Sequence, residues 1–336
     1  MVRGRRERPD PATFAGSGKV EEIRSALRLH EADVAVFDHS LSAAQVRNLE
    51  RSLSEGGAAI QVYDRTDLIL NIFAQRARSH EGKLQVELAR LEHLSTRLIR
   101  GWTHLERQRG SLGKTGGPGE KQLELDRRLI GERVKKLKER IRKVARVRAT
   151  QRSGRSRSGV LRVAIVGYTN AGKSTLFNRL TRSGAYVADQ LFATLDTTTR
   201  RIWAGESAPV AISDTVGFIK DLPHGLVAAF RATLEEAVQA DLLLHVVDCA
   251  SPNREEQIAA VNTVLAEIGA ADLPQILVWN QIDRVPGLVP ETVRDAYGKI
   301  LNIKASAATG AGVDRIRDAL AEAAREAAQK SLATAA

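Results

Sequence analysis

The stretch that decides the fold is VLRVAIVGYTNAGKST, residues 160–175. An apolar, β-branched run leads into a loop that fits the pattern G-x-x-x-x-G-K-[ST], and the helical pattern STLFNRL follows it. Glycines let such a loop turn tightly, so that successive backbone N–H groups point at phosphate oxygens. The pattern predicts a phosphate-binding loop made of Gly167, Tyr168, Thr169, Asn170, Ala171, Gly172, Lys173, Ser174 and Thr175.

Around this loop, the second half of the chain alternates short apolar runs with helical patterns. The runs are VLRVAIVG, APVAISD, DLLLHVVD, QILVWN and KILNIKA, and the segments between them suit crossover helices. The alternation predicts an α/β fold with a doubly wound parallel sheet, forming a domain over residues 160–325. Residues 326–336 are predicted to be an Ala-rich tail.

The first two motifs are expected to bind the phosphates and the metal ion. Lys173 should reach the β- and γ-phosphates, and the Ser174 hydroxyl should ligate Mg²⁺. The second motif follows the predicted strand APVAIS and consists of Asp214, Thr215, Val216 and Gly217. Its aspartate can hold Mg²⁺ through water, and the N–H of its glycine can meet the γ-phosphate.

Two later motifs are expected to recognise the base. One follows QILVWN and consists of Asn280, Gln281, Ile282 and Asp283. The Asp283 carboxylate can accept from the N1–H and the 2-amino group of guanine together, a donor pair that adenine lacks. The other follows KILNIKA and consists of Ser306, Ala307 and Ala308, where a backbone N–H can meet the guanine O6. Asn280 and Asp283, together with the absence of a recognisable acceptor site in the sequence, disfavour an ATP-dependent kinase or transporter motor.

The first half is organised differently. Residues 1–82 are predicted to form a small α/β domain, because helical patterns alternate with the apolar runs ADVAVFD and AAIQVYD. Residues 83–150 show two seams of apolar residues at helical spacing on either side of GSLGKTGGPG, which predicts an antiparallel helical hairpin with a glycine-rich tip. The polar segment 151–159 is predicted to be a linker.

Charge is divided unevenly along the chain, whose net charge is +11. Residues 1–160 hold 34 Lys and Arg against 20 Asp and Glu, whereas the remaining residues hold 17 against 20. The asymmetry indicates an anionic partner for the first half, with nucleic acid as the leading candidate. The basic side chains of the second hairpin helix, from Arg127 to Lys143, are either a solvated coiled-coil face or an arm for RNA phosphates.

Composition excludes several other classes of protein. No window offers about 18 uninterrupted apolar residues, so no membrane span is expected, and no apolar stretch follows the N-terminal arginines as it would in a secretory signal. The single cysteine, Cys249, excludes an internal disulfide framework. We therefore expect a cytoplasmic protein, and Cys249 and His245 are interpreted as structural residues.

The motifs give the second half a resemblance to P-loop GTPases of the translation-factor-related class. Several stretches make the whole chain similar to the HflX family of ribosome-associated GTPases: RPDPATFAGSGKVEEI, FAQRARSHEGKLQVELARLEHLSTRLIRGWTHLERQ, GPGEKQLELDRR, DQLFATLDTTTRRI and SDTVGFIKDLPHGLVAAFRATLEEA. The resemblance runs from about Asp10 to about Ala321. It implies GTP hydrolysis, binding to the large (50S) ribosomal subunit and its rRNA, and splitting or rescue of ribosomes. We expect the protein to be a monomer.

The resemblance also supplies site residues that spacing alone does not. The stretch F-A-T-L-D belongs to the family's first switch and comprises Phe192, Ala193, Thr194, Leu195 and Asp196. Its threonine, Thr194, is implied to ligate Mg²⁺ when the γ-phosphate is present, and Thr198 is the second candidate. With Lys173 and Gly217, Thr194 forms the predicted catalytic group.

The chain departs from the family pattern at several places. Gln281 stands where the guanine motif normally has lysine, which predicts weaker nucleotide affinity, and Phe218 stands where Ras-like enzymes have a water-orienting glutamine. The family's further terminal segments imply that the N-terminal domain here is incomplete. The segment 16–19, GSGK, is interpreted as a glycine turn before a helix, with a second, ATP-hydrolysing site as the alternative.

Phe218 also leaves two functions open. In the first, GTP hydrolysis is slow and is accelerated by the ribosome. In the alternative, the chain is an RNA- or ribosome-binding module that uses GTP only as an on/off ligand with negligible turnover.

Overall fold

The structure is a computed structural model that describes residues 1–5, 7–55, 57, 59–108, 118–156, 160–182, 192, 194–204, 208–219 and 231–335. It divides into two compact units. The first contains Met1–Gln75 and Val86–Arg140, and the second contains Arg76–Gln85 and Ile141–Ala336.

The N-terminal part of the first unit has the alternating elements that the sequence predicts. They are α1 (Ser17–Leu29), β1 (Val34–Phe37), α2 (Ala43–Ser54), β2 (Gln61–Asp64) and α3 (Arg65–Arg76). Strands β1 and β2 pair in parallel, and their connection is helix α2, as a parallel crossover requires. Leu49, Leu53 and Val62 are buried in the small core between the helices and the strands.

Helix α1 begins directly after Gly16, its N-cap residue. The side chain of Lys19 lies in the first turn of this helix, where its Nζ pairs with Glu22 at 2.5 Å and donates to the Arg3 carbonyl. Only Gly16 therefore precedes the helix, and Ser17, Gly18 and Lys19 already form its first turn.

Two long helices follow, α4 (His80–Gln108) and α5 (Pro118–Ser156). Ion pairs Glu87–Arg133 and Glu92–Lys138 join them, the second at 2.8 Å. Residues 110–117 of the predicted glycine-rich tip lie outside the described residues, while its Pro118 occupies the first helical position, where the missing N–H costs no hydrogen bond.

Helix α5 differs from the prediction at its end. It continues to Ser156, through six of the nine residues assigned to an irregular linker. The segment contains no proline, and its glutamine and arginines are good helix formers, so its polar, low-complexity composition did not exclude a helix.

The second unit is built on a seven-stranded sheet. Its elements are β3 (Leu161–Gly167), α6 (Lys173–Thr181), β4 (Thr198–Ala204), β5 (Ala208–Asp214), α7 (Arg231–Val238), β6 (Leu242–Asp248), α8 (Arg254–Glu267), β7 (Gln275–Asn280), β8 (Glu291–Arg294), β9 (Ile300–Lys304) and α9 (Val313–Ala335). The strand order is β4-β5-β3-β6-β7-β9-β8. The five central strands are parallel, which confirms the predicted α/β fold.

The two edge strands, β4 and β8, run antiparallel to their neighbours, and the sequence analysis missed both. Their composition explains why, because β4 has the exposed Arg200, Arg201 and Trp203, and β8 is only four residues long. The predicted Ala-rich tail is also part of an element, since α9 continues to Ala335. Alanine is the strongest helix former, which accounts for this extension.

The topology gathers the motifs at one edge of the sheet. Strands β3, β5, β7 and β9 are parallel, and each motif begins at or just after the carboxyl end of one of them. Ligands in open α/β sheets bind at this edge.

No helix in the described part of the chain has both the length and the apolar character that a membrane crossing needs.

Candidate nucleotide-binding site

The loop between β3 and α6 has the tight backbone that its glycines predict. Gly172, the N-cap residue of α6, has φ 89°, and a Cβ there would lie 2.3 Å from Nδ2 of Asn280. Gly167 has φ 148°, and a Cβ there would lie 2.2 Å from the carbonyl oxygen of Val246. Both positions therefore require glycine, the first for its left-handed conformation and the second for its close approach to strand β6.

Lys173 is buried at the start of α6, and its Nζ donates to the carbonyl of Tyr168 at 2.8 Å. Burial lowers the pKa of Lys173 to about 8, although the charge of Asp214 works in the opposite direction. A buried ammonium group aimed along the loop is a strong attractor for an anionic ligand, because phosphate oxygens would restore the charge interactions that water no longer supplies.

Three oxygen-bearing side chains converge beside this lysine. Ser174 Oγ lies 2.7 Å from Thr194 Oγ1 and 2.7 Å from Asp214 Oδ2, and Thr194 Oγ1 lies 3.0 Å from the same carboxylate oxygen. Burial raises the pKa of Asp214 despite the hydrogen bonds from both hydroxyls. Among the described residues, Oδ1 of Asp214 has no hydrogen-bond partner. Such a set of hard oxygen atoms suits Mg²⁺.

Thr194 rather than Thr198 is the threonine in this group. Thr198 is the first residue of β4, where it lies opposite Asp214 in the register of the strand pair. Of the other residues predicted for the first switch, Phe192 and Leu195 are buried, and Ala193 lies outside the described residues.

Asp196, another residue predicted to contact the nucleotide, has its carboxylate at the start of helix α4. Its carboxylate accepts hydrogen bonds from the backbone N–H groups of Arg78 and Ser79 and from the Ser79 hydroxyl. The first N–H groups of a helix have no partner within the helix, so they attract a carboxylate, and the sequence gives no local sign of this contact.

The segment after β5 lies directly against the phosphate-binding loop. The Phe218 carbonyl accepts from the N–H of Thr169 at 2.8 Å, and the Phe218 N–H donates to the Gly167 carbonyl at 3.1 Å. A Cβ on Gly217 would lie 2.8 Å from Cγ2 of Thr169 and 3.1 Å from Nζ of Lys173. Glycine at this position is therefore what allows the second motif to approach the first.

Asn280 connects the loop to the last motif. Its Nδ2 donates to the Ala171 carbonyl at 2.8 Å, and its Oδ1 accepts from the N–H of Ala307 at 2.9 Å. The neighbouring Gln281 donates through Nε2 to the Asn170 carbonyl at 3.2 Å, so glutamine still braces the loop where the family has lysine. Asp283 follows in a short 3₁₀ helix, and its side chain is exposed.

Sequence reasoning missed one residue that holds these parts together. Arg179, on α6, donates from Nε to the carbonyl of Ala307 at 3.1 Å and from Nη2 to the carbonyl of Ala308. It fixes the backbone of the last motif to the helix that carries Lys173. Nothing in the helical pattern STLFNRL marks this arginine as different from a solvated one.

A second polar cluster lies in the first unit and consists of Asp64, Asp67, His93 and Arg97. Arg97 Nη2 lies 2.7 Å from a carboxylate oxygen of each aspartate, so its guanidinium already neutralises them. Burial works to raise the pKa of Asp67, but the hydrogen bond from His93 and the charge of Arg97 outweigh it and lower this pKa. Because Asp64 also accepts from the N–H of Asp67 at 2.8 Å, the cluster is a capping and ion-pair network between α3 and α4.

The sheet, the glycine loop with its buried lysine, and the Asn280 bridge together define a P-loop GTPase. Family models match along the chain: "GTP-binding GTPase N-terminal" at residues 1–74, "GTP-binding GTPase Middle Region" at 76–155 and "50S ribosome-binding GTPase" at 162–281. GTPase HflX of Escherichia coli K12 is 54% identical over 322 residues, which cover 96% of this chain and 74% of that protein. The chain belongs to the HflX family of GTPases.

Other comparisons agree with this assignment. GTPase HflX of Magnetococcus marinus is 51% identical over 306 residues, covering 90% of this chain and 69% of that protein. A crystal structure of the SsGBP and GDP complex aligns with a TM-score of 0.51 and 23% identity, covering 96% of this chain and 89% of that chain, and this likeness concerns the fold alone. The predicted family and enzyme class, a GTPase, are thereby confirmed.

Proposed function

We propose that this chain binds GTP with Mg²⁺ and hydrolyses it in association with the large ribosomal subunit. The observation that carries the nucleotide site is the convergence of Ser174, Thr194 and Asp214 beside the buried Nζ of Lys173. Members of this GTPase family generally use Mg²⁺ with the nucleotide. The protein is proposed to act in the cytoplasm as a monomer.

Each group in the site has a proposed role. Ser174 and Thr194 would hold Mg²⁺ directly and Asp214 would hold it through water, and the ion would neutralise charge on the β- and γ-phosphates. Lys173 and the loop N–H groups would bind the same phosphates, with the N–H of Gly217 at the γ-phosphate. Asp283 would accept from the guanine N1–H and 2-amino group, while Asn280 holds Ala307 where a backbone N–H can reach O6.

Slow intrinsic hydrolysis follows from the residue after the second motif. The Phe218 side chain is fully buried, and its backbone is hydrogen-bonded to the loop on both sides. A phenyl ring cannot orient the attacking water, so a partner has to order the switch residues or contribute the missing group. The ribosome is the proposed activator because the "50S ribosome-binding GTPase" model matches and the first half of the chain is strongly basic.

Co-sedimentation with large subunits tests this proposal. We expect binding in the presence of a non-hydrolysable GTP analogue and weaker binding with GDP, with both declining steeply as salt rises, because contacts to rRNA phosphates release counterions. Replacing exposed basic residues of α5, Lys135, Lys136 and Arg140, with glutamine should weaken binding. Glutamine at Lys299, Arg315 and Arg325, three exposed basic residues of the GTPase unit, is the matched control. Absence of co-sedimentation at low salt with either nucleotide would refute the ribosomal role, including any part in splitting or rescue.

The buried Phe218 also favours the second function, an RNA- or ribosome-binding module with GTP as an on/off ligand. Single-turnover hydrolysis with and without large subunits separates the two. Acceleration by the subunits supports a ribosome-activated GTPase, whereas negligible turnover under both conditions supports the binding module. Fast turnover by the isolated protein, with no further gain from subunits, contradicts the proposed role of Phe218.

Nucleotide affinity is expected to depend on pH through Lys173. Its pKa is about 8 because it is buried, and bound phosphates would raise that pKa, so binding is linked to proton uptake. Affinity should therefore fall as the pH rises from about 7 to about 9, by at most tenfold per unit. Calorimetry in two buffers of different ionisation enthalpy measures the uptake directly. A pH-independent affinity with no proton uptake would show that this lysine is already fully charged in the free protein.

Replacing Gln281 with lysine is expected to raise the affinity for GTP and GDP severalfold. The lysine stem would cover more of the base than the shorter glutamine, while the guanine preference, which depends on Asp283, stays the same. Equilibrium binding of a fluorescent guanine nucleotide measures the change. Gln281→Ala is the matched variant, because it removes the hydrogen bond to Asn170 as well and should bind more weakly than the native chain. Equal affinities of the native and Gln281→Lys chains would refute the prediction.

A further inference from the structure

Asp196 ties the segment after Thr194 to the first turn of helix α4. Its Oδ2 accepts the backbone N–H groups of Arg78 at 2.8 Å and Ser79 at 2.7 Å, and its Oδ1 accepts the Ser79 hydroxyl at 2.5 Å. All of these residues belong to the second compact unit. The first N–H groups of a helix have no partner within the helix, so a carboxylate there both satisfies them and is stabilised by the helix dipole.

The start of α4 is shaped around this carboxylate. The Ser79 hydroxyl accepts from the N–H of Gly82 at 2.8 Å, so Ser79 links the Asp196 carboxylate to the first turn of α4. Gly82 is buried, and a Cβ there would lie 2.2 Å from Oδ1 of Asp196. Any other residue at position 82 would push the carboxylate away, so the absence of a side chain is part of this contact.

Only one residue separates this contact from the proposed magnesium site. Thr194 reaches Ser174 and Asp214 through its hydroxyl, Leu195 is 1% exposed, and Asp196 reaches Ser79. The backbone between positions 194 and 196 spans at most about 7 Å, and the buried Leu195 fixes its middle. A displacement of Thr194 therefore has to move Asp196 as well.

We propose that Asp196 is a positioning residue that couples the state of the nucleotide to the first turn of α4. The Asp196–Ser79 contact holds while Thr194 is drawn to Ser174 and Asp214, and it is released when Thr194 leaves them. Helix α4 continues from its first turn to Gln108, so the order of that turn governs how the long helix begins. The inference rests on the proposed function, because it requires Thr194 to respond to a triphosphate with Mg²⁺.

Amide hydrogen exchange of the full chain tests this coupling. In the native chain, peptides that cover residues 78–84 should exchange about fivefold or more slowly with a non-hydrolysable GTP analogue and Mg²⁺ than with GDP. Asp196→Ala should abolish the difference by removing the acceptor. Gly82→Ala should also abolish the difference, because its Cβ displaces the Asp196 carboxylate although no residue of the segment 194–196 is substituted. Asp272→Ala, which removes an exposed carboxylate elsewhere in the unit, should leave the difference intact.

Nucleotide binding is measured in parallel for every variant, so that two failures can be told apart. Equal exchange of residues 78–84 with both nucleotides in a native chain that binds them overturns the coupling. A difference that persists in Asp196→Ala overturns it too. A native chain that binds neither nucleotide overturns the proposed function itself, and the coupling with it. If Asp196→Ala speeds the exchange of residues 78–84 with both nucleotides but keeps the difference between them, Asp196 is only a structural cap of α4. This result also counts against the coupling.

Discussion

Replacement of Lys173 with alanine is expected to lower the affinity for both GTP and GDP by roughly 100-fold or more. The side chain is buried at the start of α6, and its Nζ lies at the phosphate-binding loop, held by the Tyr168 carbonyl. In this enclosed position, water cannot replace the charge-assisted hydrogen bonds that the ammonium group would make to phosphate. Equilibrium titration with a fluorescent guanine nucleotide measures the loss.

The fold should survive this substitution, because alanine removes a buried charge from the first turn of a helix and has the highest helix propensity. Circular dichroism and the unfolding midpoint check that point. Lys299→Ala, at an exposed turn, is the matched control and should bind GTP like the native chain. If Lys173→Ala bound GTP with native affinity, the loop would not be the phosphate site, and the motif would be only a strand-to-helix turn.

Replacement of Asp283 with asparagine is expected to change the preferred base. The carboxylate is proposed to accept from two guanine donors, whereas an asparagine amide presents one acceptor and one donor group. GTP should lose at least about 100-fold in affinity, because a donor of the base is left without an acceptor. Xanthosine triphosphate, which has a carbonyl at the position of the guanine 2-amino group, should gain affinity. Competition between the two nucleotides for the native and variant chains measures the reversal.

The position of Asp283 allows an effect on base recognition to be separated from an effect on the fold. The side chain is exposed in a short 3₁₀ helix, so its substitution should leave the sheet undisturbed. Asp272→Asn is the matched control, with the same chemical change at an exposed position outside the four motifs. An Asp283→Asn chain that still prefers GTP over the xanthine nucleotide would place base recognition elsewhere.

The central strands and motifs of the GTPase unit could be predicted from the sequence because their signals are local. Strands β3, β6 and β7 are short, apolar runs, and the conformation of the phosphate-binding loop follows from glycines at fixed spacing. Strand β4 gave no such signal. Its exposed Arg200, Arg201 and Trp203 are tolerated only because it lies at the edge of the sheet and pairs with β5, and that position is a property of the tertiary structure.

The contacts that complete the site lie beyond local patterns. Arg179 reaches the carbonyl of Ala307 across 128 residues of sequence, and Asp196 reaches the N–H of Arg78 across 118. Neither side chain differs from a solvated charge when only its neighbours in the sequence are known. The end of α5 was mispredicted for another reason. The polar, low-complexity composition of residues 151–156 indicated a linker, although the helix propensity of its glutamine and arginines allows α5 to continue.

The most direct test of the central claim is calorimetric titration of the full chain with GTP and with ATP at millimolar Mg²⁺. The geometry of Lys173, Ser174 and Asp214 predicts one GTP site per chain. The proposed recognition of guanine by Asp283 predicts far weaker binding of ATP. Omission of Mg²⁺ should weaken the binding of GTP. No detectable binding of GTP, or equal binding of ATP at the same site, would contradict the account.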